Sequence, residues 1–273
     1  MIIDGKKLAL KIEKELKKEI KKLSPSLTLA IILVGRNQAS LSYIGQKKKK
    51  ADELGIRCEV VELPSSTGEE KVLAVIKKRN QDPRVDGLIL QLPLPASFNT
   101  GRLLSAIDPS KDVDGLHPVN LGRLFYDESG LVPATPAGIL DILHGQRFPL
   151  SGKRIALIGF TPVVNMPLAI LLGKKKASVI VLQETDPCLP ELVSRADLVI
   201  SAVGKRHLLR KSWLKEGTAV IDVGVTRKKG KLFGDLAPNT HDQLSWFTPV
   251  PGGVGPLTVI NLFRNLVKTR KLT

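Results

Sequence analysis

Residues 153–183 read KRIALIGFTPVVNMPLAILLGKKKASVIVLQ, and the fold turns on them. An apolar run from Lys153 ends on Gly159, a turn and a helix follow, and the helix closes on Lys174 to Lys176 just before a second apolar run, Ala177 to Gln183. Two more runs, ADLVISAVG (196–204) and TAVIDVG (218–224), keep the same spacing. Four short apolar strands at that interval predict a doubly wound nucleotide-binding sheet.

Upstream the chain alternates in the same way. Leu8, Ile12, Leu16, Ile20 and Leu23 recur at helical spacing, and the strand TLAIILVG (28–35) follows. Next come a helix around Ser40, a strand from Arg57 to Leu63, and a helix announced by the capping box Thr67-x-x-Glu70. The buried strand VDGLILQLPLP (85–95) is stopped by prolines. Apolar strands alternating with helices imply a parallel sheet covered on both faces. Asp108 to Pro133 is rich in Gly, Pro and Asp with weak periodicity, which predicts an active-site loop region and domain junction. A helix resumes at Thr135-Pro136, with threonine as cap and proline in the first turn. A last helix, about Leu257 to Lys268, returns to the first domain. The expected class is α/β with two domains: an N-terminal α/β domain with a parallel sheet, residues 1–120 completed by the C-terminal helix 255–273, and a Rossmann-type doubly wound domain, residues 121–254.

A chain of 273 residues suits two domains that fold without staples. Cys58 and Cys188 are far apart and the four histidines are scattered, so neither a disulfide nor a metal site is expected. The longest apolar stretch, Leu29 to Val34, is too short for a bilayer, and Asp4 interrupts any secretory pattern; a cytoplasmic protein without membrane contact is expected. The net charge of +16 raises the question of nucleic acid. Against it, the lysines spread over Lys6 to Lys22, Lys174 to Lys176 and the turn Arg227 to Lys231, and aromatics for base stacking are sparse. A solvated basic surface is the favoured reading.

ASLSYIGQKKKKADELGI (39–56), read as a helix, gathers Ser40, Tyr43 and Lys47 within an arc of about 60°. Leu41, Ile44 and Ala51 form the adjoining apolar strip, so Lys47 stands where the buried face meets the open one. Desolvation there disfavours an ammonium and makes the amine a usable base; the alternative is a solvated lysine run, into which Lys48 fits better. Gln91 lies inside an apolar strand, where its amide must find partners, by default in the core. Of Asp112 and Asp114, the one facing a cleft suits an amidine-like pair of donors; otherwise both are solvated loop carboxylates. TPVPGGVGPLT (248–258), with three glycines and three prolines, lets bare backbone approach a flat ligand or simply makes a tight interdomain turn.

Five segments together carry a resemblance: ASLSYIGQKKK (39–49), LQLPLP (90–95), KDVDGLHPVNLGRL (111–124), PATPAGIL (133–140) and TPVPGGVGPLT (248–258). The chain resembles, almost end to end, the bifunctional methylenetetrahydrofolate dehydrogenase and methenyltetrahydrofolate cyclohydrolase family. That resemblance implies Lys47 as the catalytic lysine with Gln91 as its hydrogen-bond partner, Tyr43 stacking on the folate, and Asp114 anchoring the pterin. Ser40 and the Pro251-Gly252-Gly253 backbone would line the substrate. It further implies hydride transfer from 5,10-methylenetetrahydrofolate to a nicotinamide cofactor, hydrolysis of the methenyl product to 10-formyltetrahydrofolate, and a homodimer formed through the nucleotide domain.

The second domain departs from the family pattern. The family turn G-R/A-S-x-x-V-G-x-P stands here as Gly159-Phe160-Thr161-Pro162-Val163-Val164-Asn165-Met166-Pro167, and Asn165 in place of glycine threatens to obstruct the cofactor. Thr161 still offers a hydroxyl, and the helix N-terminus still favours an anion. Where a histidine followed by serine or arginine is usual, this chain has Gln183 and Glu184. Gly159, Phe160, Thr161, Glu184 and Val225 are the expected cofactor-binding positions. NADP is the family default, with Lys174 to Lys176 as compensating charge; Glu184 points to NAD instead. Open alternatives are a cyclohydrolase with weak or lost dehydrogenase activity, a different two-domain NAD(P)-dependent dehydrogenase, and a basic non-enzymatic relative that binds nucleic acid.

Overall fold

The computed structural model describes residues 1–126 and 130–272. The chain forms two compact units, one of residues 11–134 with 259–273 and one of residues 1–10 with 135–258.

The first unit takes the later part of α1 (Gly5–Ile20), then β1 (Thr28–Val34), α2 (Gln38–Leu54), β2 (Arg57–Leu63), α3 (Glu69–Gln81), β3 (Gly87–Leu90), α4 (Thr100–Ser105) and α5 (Pro118–Tyr126). Its sheet has the order β2-β1-β3 and is parallel throughout, with Ile32 opposite both Val61 and Leu90. All seven residues of β1 are buried, as a central strand covered on both faces requires. Val72, Ile76, Leu88, Leu90 and Leu103 pack with Ala30 and Ile32 into its core, each large side chain contributing roughly 1.5–3 kcal/mol by leaving water. Asn37 caps α2 by accepting the Ser40 N–H at 2.8 Å, and Gly55 ends it at φ 71°. The expected capping box is not formed: the N-cap of α3 is Gly68, which has no side chain to offer, and the Glu70 carboxylate instead pairs with the Arg102 guanidinium at 2.8 Å.

The stretch expected to be loop from 108 to 133 contains α5, and the segment after β3 contains α4; residues 127–129 of that stretch lie outside the described residues. Both helices are too short for helical periodicity to stand out. α4 is held by its cap, Asn99, whose Oδ1 accepts the Arg102 N–H at 3.0 Å.

The second unit holds most of α6 (Ala134–Gly145), β4 (Arg154–Ile158), α7 (Asn165–Lys174), β5 (Ser178–Leu182), α8 (Leu189–Ser194), β6 (Leu198–Ser201), β7 (Ala219–Asp222), the hairpin β8 (Thr226–Lys228) with β9 (Lys231–Phe233), β10 (Trp246–Phe247) and the start of α9 (Val254–Leu272). The four strands expected between 153 and 224 are all present. They form, with the unexpected two-residue β10, a parallel sheet of order β10-β7-β6-β4-β5. Its order reverses at β4, so β4 and β6 flank the crevice at their C-terminal ends where such sheets bind ligands.

The unit boundaries fall at 134/135 and 258/259 rather than at the expected 120 and 254, and residues 1–10 join the five-stranded unit. Long-range bonds account for this. Ile3 N–H donates to the Phe247 carbonyl at 2.9 Å. Asn265 Nδ2 donates to the carbonyls of Val113 at 2.9 Å and Val132 at 2.7 Å, drawing residues 113–134 and the last helix together. Thr273, the end of the expected helix, lies outside the described residues.

Candidate active site

In the three-stranded unit, α2 leaves the C-terminal end of β1 with Ser40, Ile44, Lys47, Ala51 and Leu54 on its buried face. Lys47 is only 8% exposed, while Lys48 and Lys49 are solvated. Lys50 pairs with Glu13 at 2.7 Å and with Glu53. The lysine run therefore divides by helix face, and one amine is inside. Its Nζ donates to Gln91 Oε1 at 3.1 Å, and Gln91 Nε2 donates to the Leu92 carbonyl at 2.7 Å. Gln91 sits just past β3, its own N–H bonded to the Ile32 carbonyl at 2.9 Å, so the buried amide expected from the sequence does find partners. Tyr43 is 42% exposed on the rim of the same helix. Ser40 is fully buried and its hydroxyl has no partner among the described residues.

The aspartate loop separates its two carboxylates. Asp112, 1% exposed, accepts the His117 N–H at 2.7 Å and Asn120 Nδ2 at 2.9 Å; burial pushes its carboxyl above the ordinary range. It clasps the loop beside β3 through a bridge to Leu88. Asp114 is half-buried, and its carboxylate accepts no hydrogen bond among the described residues. Gly115 follows at φ 73°, where a Cβ would come within 2.7 Å of the Pro133 nitrogen. The carboxylate available to a ligand is therefore Asp114.

Pro251, Gly252 and Gly253 belong to the five-stranded unit. Gly252 has φ 107°, and its carbonyl accepts the Gly5 N–H at 3.0 Å; a Cβ on Gly5 would lie 1.7 Å from the Gly253 oxygen. Close backbone packing at the start of α1 thus explains part of this glycine-rich loop.

At the end of β4, Gly159 takes φ 98° and its amide bonds the Leu182 carbonyl at 2.8 Å. Phe160 is 57% exposed, and Thr161 is half-buried with its Oγ1 accepting the Asn165 N–H at 3.4 Å. Asn165 does not obstruct this turn. It is fully buried and donates from Nδ2 to the carbonyls of Ile158 at 2.8 Å and Gly159 at 2.7 Å, so its side chain points into the fold. A glycine turn leading into a helix N-terminus suits a pyrophosphate, and the residues present fit a dinucleotide. Glu184 and Val225 are both exposed, on the loops after β5 and β7.

Sequence reasoning missed a carboxylate pair behind these loops. Asp235, fully buried, accepts Ser201 Oγ at 2.6 Å and the N–H groups of Val203 at 3.0 Å, Gly204 at 3.3 Å and Lys205 at 2.7 Å. Asp222 accepts the N–H groups of Gly224, Asp235 and Leu236 at 3.1, 3.0 and 2.8 Å. Burial first, with Asp235 adding to it, pushes Asp222 up to about 7. Two aspartates each close to a glycine, Asp222-Val223-Gly224 and Gly234-Asp235, were the available signal: a Cβ at Gly224 would meet Asp235 at 2.1 Å and one at Gly234 would meet Asp222 at 2.0 Å.

Comparison with known proteins identifies two family domains along the chain. Residues 3–114 match the tetrahydrofolate dehydrogenase/cyclohydrolase catalytic domain, and residues 133–273 match the NAD(P)-binding domain of the same family. The bifunctional protein FolD of Thermus thermophilus is 40% identical over 271 residues, 99% of this chain and 96% of that protein. The FolD of Enterococcus faecalis is 40% identical over 275 residues, 99% of this chain and 98% of that one. Among solved structures, FolD methylenetetrahydrofolate dehydrogenase/cyclohydrolase from Campylobacter jejuni is 40% identical with a TM-score of 0.96, covering 100% of this chain and 99% of that one. The Trypanosoma brucei enzyme, in complex with NADP cofactor and inhibitor, is 33% identical with a TM-score of 0.95, covering 100% and 97%. The chain belongs to the tetrahydrofolate dehydrogenase/cyclohydrolase family and carries both its catalytic and its NAD(P)-binding domain.

Proposed function

We propose that Lys47 is the proton acceptor in the bifunctional chemistry of this chain, the oxidation of 5,10-methylenetetrahydrofolate to the 5,10-methenyl cation and its hydrolysis to 10-formyltetrahydrofolate. The observation that carries the assignment is the buried Lys47 amine, the one member of its lysine run turned inward, held 3.1 Å from Gln91 Oε1. The Gly159 turn would hold a nicotinamide dinucleotide, which would supply the hydride acceptor for the oxidation. Lys47 accepts a proton from the water that attacks the methenyl carbon; the bond from that carbon to N5 then breaks, N5 takes a proton, and the ring opens to the 10-formyl product with one proton released overall. Gln91 fixes the amine, its own amide being locked on the Leu92 carbonyl. Tyr43 stacks on the folate from the helix rim, and Asp114 accepts the pair of N–H donors on the pterin. Ser40 and the bare backbone at Pro251-Gly252-Gly253 are further proposed substrate contacts.

Lys47→Ala tests this. Methenyl hydrolysis should fall by roughly 10²–10⁴-fold with the circular dichroism spectrum of a folded chain retained; near-normal turnover overturns the assignment.

The protein is further proposed to act in the cytoplasm as a homodimer. No helix among the described residues is long and apolar enough to cross a membrane. The edge strand β5 leaves Ile180 and Val181 exposed, an edge that a second copy would cover. Light scattering that returns a monomer mass at micromolar concentration removes the dimer.

A further inference from the structure

We propose that the five-stranded unit reads the 2′ position of its dinucleotide through Glu184 and takes NAD in preference to NADP. This rests on that unit holding a nicotinamide dinucleotide at the Gly159 turn. In a doubly wound sheet the pyrophosphate lies over the first strand-to-helix turn, and the adenine ribose reaches the end of the next strand, where an acidic side chain accepts the ribose hydroxyl.

Here those two places are adjacent. Ile158 of β4 is opposite Leu182 of β5, and the Gly159 N–H is bonded to the Leu182 carbonyl at 2.8 Å. Glu184 follows two residues later, in the turn closed by the Asp186 N–H on the Gln183 carbonyl at 3.1 Å. It is exposed, and no cation holds its carboxylate among the described residues. The side chains beside it, Gln183 and Thr185, are exposed and uncharged, and Phe160 across the strand pair is an exposed ring. A carboxylate in that position accepts from a 2′-hydroxyl and repels a 2′-phosphate.

The nearby basic side chains are turned elsewhere. Lys174 to Lys176 lie before Ser178, at the N-terminal end of β5, whereas Glu184 lies past Leu182. The intervening strand is about 13 Å long at ~3.3 Å per residue, beyond the reach of a lysine, so the compensation expected from the sequence is removed. Lys205 and Arg206 follow β6, on the far side of β4 from β5. The Arg206 guanidinium sits over the Phe233 ring, 3.9 Å from its centroid.

Isothermal titration of the full chain with NAD⁺ and with NADP⁺, alongside hydride-transfer rates with each, tests the proposal. NAD⁺ should bind at least about tenfold more tightly. Glu184→Ser should narrow that ratio, and Glu184→Ser combined with Phe160→Arg should reverse it. Equal or tighter binding of NADP⁺ by the unaltered chain, or a ratio untouched by Glu184→Ser, overturns the proposal while leaving the dehydrogenase reading in place. Failure of both nucleotides to bind a chain that still hydrolyses the methenyl substrate removes the dinucleotide reading itself, and the proposal with it.

Discussion

Lys47 Nζ and Gln91 Oε1 lie 3.1 Å apart although 44 residues separate them in the chain. The pairing exists because α2 and the end of β3 both sit at the C-terminal edge of one parallel sheet, whose central strand β1 is bonded to β3 on one side and β2 on the other. Replacing the acceptor leaves a buried amine without its partner.

Gln91→Leu should therefore cost about 1–3 kcal/mol of stability, the usual consequence of orphaning a buried donor. It should also lower kcat for hydrolysis on the order of tenfold or more by loosening the amine, with a smaller change in KM. Urea titration and steady-state kinetics on one preparation check both; unchanged kcat would mean that Gln91 serves the core alone.

Asp112 and Asp114 should separate cleanly. Asp112→Ala removes the acceptor of the His117 N–H and of Asn120 Nδ2 and should lower stability by about 1–3 kcal/mol. Asp114→Asn should leave the thermal midpoint within a degree or two of the parent and raise KM for the folate. The reverse pattern would exchange the two roles.

Asp222 makes stability depend on pH. Its folded carboxyl is raised from 3.8 to about 7, so between those values the folded chain holds a proton that the unfolded chain has released. Stability contributed by this group is present below pH 3.8 and lost as pH rises to about 7, in total on the order of 4 kcal/mol. Urea midpoints of the parent should fall between pH 5 and pH 8, and those of Asp222→Asn should fall less. Parallel slopes for the two proteins would place the titrating group elsewhere.

Asn165→Gly restores the residue usual in the family at the turn. It removes two hydrogen bonds, to the carbonyls of Ile158 and Gly159, and should destabilise by roughly 1–3 kcal/mol. Because the side chain points inward, dinucleotide affinity measured by titration should change little. A large gain in affinity would show that Asn165 does crowd the ligand.

The alternation of strands and helices, the glycine turn at Gly159 and the helix face shared by Ser40, Tyr43 and Lys47 are legible without a structure, because each is a local period or a local backbone need. α4, α5 and β10 were not legible: elements of six, nine and two residues are too short for a period to rise above the surrounding loop. The division of Asp112 from Asp114, the inward turn of Asn165, the Asp222–Asp235 pair and the distance of Lys174 to Lys176 from Glu184 rest on contacts between residues remote in sequence. The chain by itself determined which groups are present and how each sits on its own helix or strand. Tertiary packing decided which of them are dry, which are already partnered and which remain open to a ligand, since desolvation and hydrogen bonding depend on neighbours that local order does not specify.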